Sequence, residues 1–162
     1  MKLPSSLHIV LLLLTLSLAP AGAAWSDGVE KVHVNTNRRG LALGGHDAVA
    51  YFAQAKAVMG DRQFSHQHQG ATYHFSSAEH RDMFAADPAK YAPQFGGFCA
   101  WAVSQGYTAD VDPRAFDIID GRLILQYSLS VRERFRKDPS GNLARADENW
   151  KRILEEKGKP AE

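Results

Sequence analysis

The sequence predicts a single small α+β domain of short antiparallel β-hairpins with helices packed over them and a helix near its C-terminal end. Three observations predict it. Two stretches are broken by glycine turns: 62–75 alternates apolar with polar residues, and 115–127 sets two short apolar runs on either side of Asp120-Gly121. A helix-capping signal stands at Ser76-Ser77-Ala78-Glu79. Leu143, Asp147, Trp150 and Leu154 fall on one helical stripe, with Ala146 and Ile153 beside it. The chain has 162 residues, 44% hydrophobic and 23% charged, a balance that excludes collagen-like, disordered and coiled-coil classes.

Residues 1–23 hold one base, Lys2, no acid, and an apolar run from Ile9 to Leu18 broken only by Thr15 and Ser17. Small residues close it at Ala21-Gly22-Ala23, so the segment reads as a secretory signal peptide and the chain as periplasmic or secreted. The run is short for a membrane span, which takes roughly 20 residues. Membrane association is expected only if the segment stays uncleaved. Residues 24–40 are polar and without period, an N-terminal arm. In 41–52 the pair Gly44-Gly45 precedes His46-Asp47 and the run Ala48-Val49-Ala50-Tyr51-Phe52, which is bounded like a buried strand.

Phe64, His66 and His68 alternate with Gln63, Ser65 and Gln67, and Tyr73 and Phe75 alternate with Thr72 and His74. Gly70 between them marks a hairpin. The capping box then predicts a helix over 77–86, with Ser76 as cap and Glu79 reaching back to it. Asp87-Pro88 ends that helix and can open another turn. Residues 91–101 are dense in aromatics and glycine, and Gly96-Gly97 permits bends or close approaches that a side chain forbids. Asp120-Gly121 is a strong hairpin signal between 116–119 and 123–127. On the last helix, Asp147 with Lys151 and Glu148 with Arg152 are spaced as i,i+4 ion pairs. The domain is read as 41–157, with a short tail at 158–162.

Without Lys2 the exported chain carries 18 bases against 18 acids, leaving no electrostatic reason to seek nucleic acid. No phosphate loop, nucleophile elbow, Cys-x-x-Cys or His-Glu-x-x-His pattern occurs, so no nucleotide or organic cofactor is expected. The one cysteine, Cys99, cannot form an internal bridge. Phe98, Ala100 and Trp101 around it favour an inert, buried thiol, whereas a nearby cation or metal would favour thiolate. His66 and His68 share one strand face. Parity decides whether His74 joins them: an even-numbered turn, such as Gln69-Gly70, sets His68 opposite Ala71 and His66 opposite Tyr73 and puts His74 on the other face, whereas an odd turn or a bulge unites the three. Each of these histidines alone reads as a solvated or half-buried strand residue, and His33 and His80 read no differently. Asp47 reads first as an acceptor for a glycine-rich turn.

Gly45-His46-Asp47-Ala48-Val49-Ala50-Tyr51-Phe52, Gly70-Ala71-Thr72-Tyr73-His74-Phe75-Ser76-Ser77-Ala78-Glu79 and Tyr91-Ala92-Pro93-Gln94-Phe95-Gly96-Gly97-Phe98-Cys99-Ala100 together resemble the YHS domain family. Asp112-Pro113, Asp120-Gly121-Arg122-Leu123 and Ala146-Asp147-Glu148-Asn149-Trp150 extend the likeness, and it is nearest to an exported bacterial branch of small proteins. In the metal-handling branch the resemblance implies two cysteines, which fall here on Ala50 and Ser76. Methyl and hydroxyl groups do not replace thiolates. In the exported branch it implies a chemically used residue at Cys99, the position at which some members of that branch carry selenocysteine.

Three functions follow as expectations. The first is a metal-binding module for copper or zinc, with Cys99 as soft ligand and His46, His74 and Asp47 completing the site. The second is a protein-interaction or structural module in which Cys99 is packing. The third is a one-cysteine thiol redox protein, resolved by an external thiol. The expected partner is a metal ion or another protein.

Overall fold

The computed structural model describes residues 30–161; the signal segment read at 1–23 and the start of the arm lie outside them. Strands β1 (Lys31–Val32), β2 (Asp61–His68), β3 (Ala71–Phe75), β4 (Asp112–Ile119), β5 (Arg122–Gln126) and β6 (Lys159–Pro160) form three antiparallel pairs, β2 with β3, β4 with β5 and β1 with β6. Helices α1 (Ala50–Ala53), α2 (Ala78–Ala86), α3 (Pro88–Tyr91), α4 (Ala100–Ser104), α5 (Leu129–Phe135) and α6 (Pro139–Lys157) pack around them. This is the predicted α+β architecture. Among the described residues no helix is long and apolar enough to cross a membrane.

Turn chemistry sets both long hairpins. Gln69-Gly70 and Asp120-Gly121 each place two successive residues at positive φ, 50° and 71° in the first and 51° and 73° in the second, as a two-residue hairpin turn requires. The even-numbered turn places His68 opposite Ala71, His66 opposite Tyr73 and Ser65 opposite His74. His74 therefore faces away from His66 and His68.

The apolar run at 48–52 is not a strand. Ala48, Val49, Ala50 and Tyr51 are buried as expected, but Oδ1 of Asp47 accepts from the N–H groups of Val49 (2.9 Å) and Ala50 (3.2 Å), which starts the single turn of α1. The cap of α2 shifts by one residue too. Ser77, not Ser76, accepts from the His80 N–H, at 3.1 Å, because Ser76 is engaged by Asp47. Asp87 caps α3 through the Lys90 N–H, and Asp138 caps α6 through that of Gly141.

Two apolar clusters share β5. Leu123 and Leu125 join Tyr51, Tyr73, Phe75 and Phe84 on one side. Ile124 joins Phe95, Val103, Phe135, Leu143 and Ile153 on the other. The strand is buried on both faces, which is why its sequence runs Leu-Ile-Leu without alternation.

The expected pairs along α6, Asp147 with Lys151 and Glu148 with Arg152, give way to others. Asp147 takes a two-pronged contact from Arg122, at the start of β5, and Arg152 pairs with Glu156 and donates to the Gly106 carbonyl. Fork-to-fork geometry makes the first of these the more selective contact. The arm and the tail are also joined. β1 pairs with β6, the Asn35 N–H donates to the Gly96 carbonyl (2.8 Å), and Lys31 pairs with Glu155 (2.8 Å). Gly96, at φ +59°, comes so near the His33 carbonyl that a Cβ there would overlap it.

Candidate functional site

The four residues expected to share a metal are not brought together. Asp47 is fully buried at the entry to α1, and its carboxylate is taken up by the protein itself. Besides the two N–H groups of α1, Oδ2 accepts from the Ser76 N–H (2.8 Å), the Ser76 hydroxyl (2.6 Å) and Nδ1 of His80 (2.6 Å). Burial pushes the carboxyl pKa up, but the Ser76 and His80 donors more than offset this and hold it below its ordinary value. The hydrogen bonds come from α1, the residue after β3 and α2, so one carboxylate ties three elements.

Ser76, His80 and Asp47 contain the residue types of a nucleophilic triad, but their geometry is different. Ser76 Oγ and Asp47 Oδ2 both meet Nδ1 of His80, at 3.3 and 2.6 Å. Activating a serine requires its hydroxyl on the ring nitrogen opposite the carboxylate. The cluster is a satisfied buried carboxylate. Ala50 and Ser76, the positions where the resemblance above would call for two cysteines, are both donors to Asp47. Nothing near His80 in the sequence marks its role, because its carboxylate partner lies 33 residues away.

His46 and His74 are half-buried near Gly45. Nδ1 of His46 is held by the Leu43 carbonyl at 3.0 Å, and His74 and Met59 both lie beside Gly45. Cys99 belongs to a different neighbourhood. It precedes α4, its N–H donates to the Ala109 carbonyl, and it is 1% exposed. Its Sγ contacts Oε1 of Gln126 at 3.4 Å, an oxygen that also accepts from the Trp101 N–H at 3.0 Å. Among the described residues no three His, Cys, Asp or Glu side chains are spaced to hold a metal ion. The donor set expected for copper or zinc does not fit, because Asp47 is saturated with hydrogen bonds and Cys99 has an amide, not imidazole or carboxylate, as its partner.

Burial pushes the Cys99 thiol above its ordinary pKa, and the N–H groups of Ala102, Tyr127 and Trp101 offset this only in part. A protonated thiol is a poor nucleophile and a poor soft ligand. We expect two outcomes. Alkylation of Cys99 by iodoacetamide in the native protein at pH 7 should be slower than in urea by at least about tenfold. Cys99→Ser should leave Cu(I) and Zn(II) affinity within about twofold of wild type in a competition titration. Rapid native labelling, or a metal affinity that falls with the thiol, would restore the reactive reading.

A cleft of about 290 Å³ lies over Cys99, lined by Trp101, Tyr107, Tyr127, Val131 and Arg134. Tyr107 and Tyr127 are 52% and 60% exposed, and Leu129, two residues beyond Tyr127, is 52% exposed. Arg132 on α5 and Arg136 just past its end are both consumed by Asp117. Arg134, between them, stacks its guanidinium 5.6 Å from the Trp101 ring centre and has no carboxylate partner among the described residues. The cleft thus has apolar walls, an inert thiol at its base and one unpaired cation at its edge.

No family model, no curated protein and no solved structure matches this chain.

Proposed function

We propose that the chain is an exported, YHS-like binding module whose working surface is the aromatic cleft over Cys99, and that it takes an apolar segment of a protein partner that brings a carboxylate to Arg134. The carrying observation is that Tyr107 and Tyr127, both more than half exposed, border a concave wall, with Leu129 exposed two residues beyond Tyr127, so three of the five large apolar residues exposed among the described residues gather at or beside this cleft. Concave apolar surface at a rim with a single unpaired charge is a docking surface more often than a solvated one. Tyrosine and arginine are the side chains that such surfaces favour. Export rests on the pattern at 1–23, and the kinship on the motifs from Gly45 to Trp150. In this reading Cys99 shapes the floor of the cleft, and its hydrogen bond to Gln126 fixes the start of α4.

The probe is 1-anilinonaphthalene-8-sulfonate, which joins an aromatic body to one negative charge. We expect saturable binding to the native protein at one site, with affinity about tenfold lower in Arg134→Gln and in Tyr127→Ser, two surface changes that should leave the melting temperature unmoved. Absence of saturable binding, or binding indifferent to both substitutions, overturns the proposal.

A further inference from the structure

We propose a second binding site, for a neutral carbohydrate ring of monosaccharide size, in the cavity lined by β1, the 92–96 segment and Trp150 and Leu154 of α6. This proposal is independent of the cleft over Cys99. The cavity has a volume of about 270 Å³, at the small end of ligand pockets. Trp150, Phe95 and Pro93 supply its apolar wall.

Its most telling feature is the Tyr73 hydroxyl. Tyr73 is 2% exposed and lines the cavity, yet its hydroxyl has no hydrogen-bond partner among the described residues, and burial alone accounts for the upward displacement of its pKa. The one sealed side-chain atom without a partner among those residues is Nε2 of Gln126, so the Tyr73 hydroxyl opens onto the cavity. A buried hydroxyl without a partner costs free energy that a ligand or water recovers.

The other polar groups around it are mixed in kind. Glu30 is a pure acceptor. Gln94 has its Oε1 occupied by Arg122 at 3.0 Å, which leaves its amide N–H groups as donors. His68 and His33 are held below the ordinary imidazole pKa, chiefly by burial, so at pH 7 each ring offers one donor and one acceptor. A sugar hydroxyl both donates and accepts, and so matches a wall of this composition. The Lys31 cation is taken by Glu155, and Glu30 in the lining faces the charges of Lys157 and Lys159 that act on His33, so the wall holds no cluster of free cations of the kind an anion selects. A metal is disfavoured as well, since no three ligating side chains converge among the described residues.

The test is titration calorimetry with saturation-transfer NMR, using D-glucose, D-galactose, D-mannose and N-acetyl-D-glucosamine, with adenine and glucose 6-phosphate as comparators. We expect at least one neutral sugar to bind in the millimolar range, roughly 4 kcal/mol of affinity. Tyr73→Phe should weaken it about three- to tenfold, the worth of one neutral hydrogen bond. His68→Ala is read in parallel, should Tyr73→Phe melt early. Glucose 6-phosphate should bind less well than glucose. The proposal is overturned if none of the four sugars gives a saturable signal at ~50 mM, if both variants bind like wild type, or if adenine or the phosphorylated sugar is the better ligand.

Discussion

Asp47→Ala is expected to be the most damaging single change to this fold, lowering stability by about 3–5 kcal/mol and the melting temperature by about 10–20 °C. The carboxylate serves five donors, and its removal strands the N–H groups of Val49, Ala50 and Ser76 and the side chains of Ser76 and His80 in an enclosed site. Asp47→Asn should recover little of this, because an amide presents N–H to the Ser76 N–H where an acceptor is needed. Ser76→Ala removes one hydrogen bond and should cost about 1–2 kcal/mol.

The acid dependence follows from the same carboxyl. Its folded pKa lies below the unfolded value near 3.8, so the native state binds the proton less tightly than the unfolded chain. The stability it supplies is whole above about pH 4 and drains away as pH falls through the folded pKa. Urea melts between pH 7 and pH 2 should show a steeper acid loss in wild type than in Asp47→Asn. Equal slopes, or a loss under 1 kcal/mol for the alanine variant, would remove Asp47 as the organising group.

Gly96→Ala is the second large effect, expected to cost about 2–4 kcal/mol and to loosen β1. Two terms add here. At φ +59° an L side chain costs about 1–2 kcal/mol, and the new methyl would overlap the His33 carbonyl, forcing apart the segment held by the Asn35–Gly96 hydrogen bond. Gly121→Ala separates the terms, since Gly121 has φ +73° with nothing near an added Cβ. It should cost only the conformational part. Limited proteolysis should then cut Gly96→Ala, but not Gly121→Ala, within 32–37. A Gly96→Ala protein that resists protease and melts like Gly121→Ala would show that the close approach is unimportant.

Much of the fold was legible where chemistry is local. Asp120-Gly121 and Gly70 announce their turns by residue type and Asp87-Pro88 announced its cap, while of the two parities open at the Gln69-Gly70 turn the structure takes the even one, which sets His74 away from His66 and His68. The errors share another origin. Residues 48–52 are apolar throughout because they are buried on every side, and such a run has no period to distinguish a strand from a helical turn. What decides is a carboxylate just ahead of it, whose other partners, Ser76 and His80, come from 29 and 33 residues downstream. The same long-range demand took Ser76 out of the cap and left Ser77 in its place.

The site was legible only in part. The aromatic surroundings of Cys99 pointed correctly to burial, but nothing local said that its sulfur would meet Gln126 of β5, or that Tyr107 and Arg134 would border one cleft with it. His33 and Tyr73 lie 40 positions apart and meet one cavity through the pairing of β1 with β6, two strands too short to show a pattern.

The sharing of β5 has a thermodynamic meaning. Leu123 and Leu125 face one interior and Ile124 the other, so neither half can loosen without withdrawing a wall from its neighbour. Partial melting of one half is therefore penalised, and heat or denaturant should take the whole domain across a single cooperative transition.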